Sequence, residues 1–73
     1  MVLRKLSGVD IIKALSKVGF VPKRRKGSHV VLVRQFDGRT VCVVPMHSEL
    51  KIGTIKAILR QAKIREDEFL VLL

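Results

Sequence analysis

The chain has 73 residues, 15 Lys and Arg against 6 Asp and Glu, a net charge of +9 and a single Cys. That length fits one domain, leaves no room for a cofactor cavity beside a substrate pocket, and with one Cys excludes a disulfide framework or a Cys-rich zinc site. No apolar run approaches the ~18 residues of a membrane span, and Met1 to Ser7 holds too short an apolar run for a signal peptide, so the expectation is a reduced, cytoplasmic protein with no cofactor, metal or membrane partner.

Ser7 and Asp10 form an S-x-x-D capping box with Ser7 as N-cap. Leu6 and Ile11 flank it as a hydrophobic staple, and Ile11, Leu15 and Val18 repeat at helical spacing. Gly19 is placed to end the helix in the left-handed region, which sets it at Ser7–Val18. Phe20-Val21-Pro22 then opens a strand. Pro22 cannot donate to a ladder, and Lys23, Arg24, Arg25 and Lys26 continue it as a charged edge. Lys26-Gly27 is expected as the tight turn, which would put Arg24 directly across from His29. Ser28–Arg34 is the second strand, and its apolar run Val30 to Val33 suits a central position. Asp37-Gly38 is a hairpin signal. Thr40–Val44 is the third strand, stopped by Pro45.

Ile55, Ile58, Leu59 and Ala62 form the apolar stripe of a helix over Ile52–Ala62, with Lys56, Arg60 and Lys63 as a basic ridge on its flank. Arg65–Leu72 has the pattern of one or two further turns. Glu66, Asp67 and Glu68 sit at the dipole-favoured start, and Phe69 and Leu72 are placed for docking. The expected fold is α+β: a three-stranded antiparallel sheet with the helices on one face and the other face open.

The charge points to a phosphate backbone or an acidic protein. All fifteen bases lie in residues 1–65, so the body of the domain is even more positive than the net charge suggests. His29 and His47 are the side chains able to exchange protons near neutral pH. His29 lies just past the first hairpin turn, beside the Lys23–Lys26 run. An imidazole among cations suits RNA cleavage, which needs a base for the 2′-OH, an acid for the leaving 5′ oxygen and cations for the phosphorane. From spacing alone, a plain strand histidine near a turn serves as well. His47 reads as a loop residue or a helper. Cys42 alternates with Val41 and Val43 as a core residue. The acids show no metal-binding spacing. Three Phe with no Tyr or Trp argue against base-stacking readout.

Lys26-Gly27-Ser28-His29 before an apolar run, Val44-Pro45-Met46-His47, and Gly53-Thr54-Ile55-Lys56-x-Ile58-Leu59-Arg60-Gln61 follow one another in order. Together they resemble the HicA toxin family of mRNA interferases. The resemblance covers nearly the whole chain and implies a double-stranded-RNA-binding-domain-like α-β-β-β-α fold. It also implies an mRNA-cleaving endoribonuclease toxin silenced by a HicB antitoxin. The family's catalytic histidine falls on His29, within the Gly27-Ser28-His29 segment, and the P-x-H histidine falls on His47 as an auxiliary residue. Members often carry a second His after the first, and Val30 stands there instead. RNA contacts are expected at Lys23, Arg24, Arg25, Lys26, Gly27 and Ser28, with Lys56 and Arg60 as secondary ones. Two alternatives remain: a non-catalytic RNA-binding module of the same fold, and a pure interaction protein pairing with an acidic antitoxin.

Overall fold

The computed structural model describes residues 5–35 and 38–73. Its elements run α1 (Gly8–Ser16), β1 (Val21–Lys26), β2 (His29–Arg34), β3 (Thr40–Pro45), α2 (Ile52–Ala62) and α3 (Glu66–Leu72). This is the expected α+β order, with α3 as the short C-terminal helix.

Ser7 caps α1 reciprocally. Its hydroxyl accepts from the Asp10 N–H at 3.1 Å, and the Asp10 carboxylate accepts from the Ser7 N–H at 2.9 Å. The end of α1 tightens into i→i−3 bonds and closes as a Schellman motif. Gly19 N–H donates to the Ser16 carbonyl and Phe20 N–H to the Leu15 carbonyl, both at 3.2 Å, with Gly19 at φ +96°. The regular helix therefore stops two residues short of Val18. α2 ends the same way without a glycine: Lys63 takes the left-handed conformation at φ 59°, and Ile64 N–H donates to the Leu59 carbonyl at 3.0 Å.

The sheet order is β1-β2-β3, all antiparallel. The first hairpin departs from expectation by one residue. Lys26 pairs with His29, Arg25 with Val30 and Arg24 with Val31, so the two-residue turn is Gly27-Ser28 rather than Lys26-Gly27. Gly27 lies at φ +60° and Ser28 does not share the positive φ, which suits a II′ turn with glycine first. The register shifts between Pro22 and Arg24, leaving Lys23 as the bulged residue. Of the second expected turn, Asp37 lies outside the described residues, while Gly38 has φ +100°.

Val30 and Leu32 of β2 and Cys42 and Val44 of β3 face the helices. They pack with Ile11, Ala14 and Leu15 of α1, Ile55, Ile58, Leu59 and Ala62 of α2, and Phe69 of α3, which is fully buried. Phe20 and Leu50 complete the core. Lys17 Nζ donates to the Leu72 carbonyl at 2.8 Å, tying α1 to the end of α3. All three helices thus lie on one side of the sheet, and none of them covers the other. No helix among the described residues is long and apolar enough to cross a membrane.

Candidate nucleic-acid interface

Residues opposite each other in an antiparallel pair point to the same face. Because Val30, Leu32, Cys42 and Val44 face the helices, His29, Val31, Val33, Val41, Val43 and Pro45 face the open side. The register then lays out three rows across that side. Lys26, His29 and Pro45 form the first, Arg24, Val31 and Val43 the second, and Val21, Val33 and Val41 the third. One end of the open face is therefore cationic with an imidazole, and the rest is valine. Val21, Val41 and Val43 are 50, 40 and 37% exposed, whereas Val33, between Val21 and Val41, is buried.

This register divides the four-cation run. Lys26 lies directly across from His29, and Arg24 is its diagonal neighbour on the same face. Arg25 points to the opposite face, where its Nε donates to the Gly27 carbonyl at 3.2 Å and braces the turn. Lys23 sits on the bulge. All four are exposed, as are Gly27, Ser28 and His29. Lys56 and Arg60 belong to the helix layer, on the far side of the sheet from His29. They line a groove of about 520 Å³ together with Leu59, Ile64, Arg65, Glu66 and Asp67. The Lys56 ammonium lies 3.6 Å from the Glu66 carboxylate, so part of its charge is balanced by α3.

His47 follows β3 at the same end of the sheet. His29 pairs with Pro45, and the next residue, Met46, donates its N–H to the Ser28 carbonyl at 2.6 Å. The His47 carbonyl accepts the Gly8 N–H at 3.0 Å. The segment from Pro45 to His47 is thus held between the start of β2 and the start of α1. Gly8 was not among the residues the sequence marks for the site. Its only signal is a glycine in the first turn of a helix, where glycine weakens the helix.

Among the described residues, two titrations are perturbed. The bonds from the Ser7 N–H and hydroxyl hold the Asp10 carboxyl below its usual range, with Lys13 adding a smaller pull. Burial pushes the Cys42 thiol up to about 11, against a weaker opposing effect of Arg34. Cys42 is a protonated core residue, and its place in β3 directs it away from the open face. Among the described residues no three of His, Cys, Asp and Glu converge.

The chain is thus a small basic α+β domain with a solvent-facing histidine among cations at one end of its sheet. The family described as "HicA toxin of bacterial toxin-antitoxin" matches it over residues 8–64, the greater part of the chain. The chain belongs to the HicA toxin family. No curated protein matches it.

Proposed function

We propose that this HicA-family toxin is an endoribonuclease that cleaves mRNA through His29 without a metal ion. The observation that supports this best is the pairing of His29 with Lys26 beside Arg24 on an exposed sheet face. An RNA strand laid over that end brings a phosphate to the two cations and its 2′-OH to the imidazole. A base takes the 2′-OH proton, and the 2′ oxygen attacks phosphorus as the bond to the 5′ oxygen breaks. The departing oxygen receives a proton from the acid partner. Lys26 and Arg24 stabilise the charge that builds on the phosphorane oxygens. The RNA supplies its own nucleophile, so a domain of this size needs no pocket.

His47, whose backbone is held at the same end of the sheet, serves as the second proton carrier. Lys23, Arg25, Gly27 and Ser28 extend the contact around the hairpin. Lys56 and Arg60, on the other side of the sheet, serve a longer RNA or a protein.

The valine rows favour a protein partner for the rest of the open face. Phosphate contact has no use for apolar surface, whereas a HicB-type antitoxin seated there would also cover His29 and silence the toxin. The test of the cleavage reading is end-group analysis of the RNA products. In-line attack by the 2′-OH leaves 2′,3′-cyclic phosphate and 5′-OH ends. Products with 5′-phosphate and plain 3′-OH ends would overturn the mechanism.

A further inference from the structure

Gly8 is buried in the first turn of α1, yet its backbone does not need glycine, since its φ is not positive. What it needs is the missing side chain. A Cβ at this position would overlap the Pro45 carbonyl oxygen and lie 3.0 Å from the Met46 Cα and 3.1 Å from the Pro45 carbonyl carbon. These neighbours are backbone and cannot swing aside as a flexible side chain could. The same residue donates its N–H, one of the donors a helix start leaves unpaired, to the His47 carbonyl at 3.0 Å. Two further bonds complete the junction. Leu50 N–H donates to the Leu6 carbonyl at 2.8 Å, and Met46 N–H donates to the Ser28 carbonyl at 2.6 Å.

We propose that Gly8 is a positioning residue: its bare α-carbon and its N–H seat the Pro45–His47 segment against α1, and so fix where His47 stands relative to His29. The geometry of the two-histidine end is then set from outside the sheet, by the start of the first helix. This rests on the ribonuclease reading only for its effect on catalysis. The effect on the backbone stands independently of it.

The test compares wild type with Gly8→Ala by amide hydrogen exchange, imidazole NMR shifts and RNA-cleavage kinetics. Ile58→Val, a core change on α2 that leaves the junction intact, serves as the control for lost stability. In Gly8→Ala, exchange at the Met46 amide accelerates while the Leu32 amide in the middle of β2 stays protected, and the His47 resonances move. kcat falls by about 10- to 100-fold and KM stays within about twofold. Ile58→Val shows none of these changes. If Gly8→Ala does not fold, total synthesis with glycolic acid at position 8 removes the N–H donor and adds no atom that could clash. Its His47 resonances must shift. An unmoved Met46 amide and unmoved imidazole signals in a folded variant would overturn the proposal. If wild type cuts no RNA, the cleavage reading fails, and the exchange and NMR readouts still decide the role of Gly8.

Discussion

Lys26 and His29 face each other across the two-residue Gly27-Ser28 turn. The ammonium and the imidazole stand on adjacent strands and the same face, with Arg24 one row further on. This divides the basic run by position in the fold and not only by sequence. Two of its four cations share the histidine's face, one braces the turn and one forms the bulge.

The division predicts unequal effects of charge removal. Lys26→Ala and Arg24→Ala each lower kcat/KM for RNA cleavage by about tenfold or more. Each also reduces the salt slope of RNA binding by about one. Lys56→Ala and Arg60→Ala leave kcat unchanged. Equal losses from both sets, measured across a salt series, would contradict the division between the two faces.

The end of α2 predicts a stabilising substitution. Lys63 is exposed and holds a left-handed conformation that disfavours a Cβ. Lys63→Gly keeps the Schellman bonds and removes the clash. It raises stability by about 0.5–1 kcal/mol, net of glycine's greater freedom when unfolded, and each kcal/mol lifts Tm by about 4–8 °C in a domain of this size. Thermal unfolding checks it, and an unchanged or lower Tm counts against the cap geometry.

Asp10 makes the start of α1 sensitive to acid. Its pKa is lowered in the fold by the Ser7 N–H bond first and the Ser7 hydroxyl second. A depressed carboxyl contributes stability above its unfolded value of 3.8, and that contribution disappears as pH falls through the lower folded value. Asp10→Asn is therefore less stable than wild type at neutral pH, and the gap closes on acidification below the unfolded value. Ser7→Ala lowers stability by about 1 kcal/mol through the lost cap. Urea titrations at several pH values read both effects.

Cys42 is predicted to be chemically silent. With its pKa pushed up to about 11 by burial, the thiol stays neutral at physiological pH. Iodoacetamide leaves the folded protein unmodified at about pH 8 and labels it in denaturant. The stability that goes with a buried neutral thiol is present below its unfolded value of 9.0 and is lost as pH rises through about 11. Cys42→Ala lacks this alkaline component. Cysteine-dependent cleavage would contradict the core assignment.

Much of the fold is written locally. The Ser7-x-x-Asp10 box and the stripe Ile55, Ile58, Leu59, Ala62 each place a helix without reference to the rest of the chain. The run Val30 to Val33 marks the central strand because Val30 and Leu32 feed the core while Val31 and Val33 face the other side. The hairpin register is not local in this way. Lys26-Gly27 and Gly27-Ser28 both put glycine in a two-residue turn, and only the preference for glycine first in a II′ turn, over a lysine at positive φ in a I′ turn, separates them. Gly8 is hidden for a stronger reason. Its purpose is contact with Pro45 and Met46, almost forty residues away in sequence, and no nearby pattern encodes that approach. His29 is legible as a candidate. Which cations share its face is not, because the face depends on the turn.

The most direct test of the account is RNA cleavage in EDTA by wild type and by His29→Ala, with the fold of both confirmed by circular dichroism. His29 is exposed, so its removal leaves the core intact. The account predicts that wild type cuts RNA and that the folded variant does not. Undiminished cleavage by folded His29→Ala would contradict it.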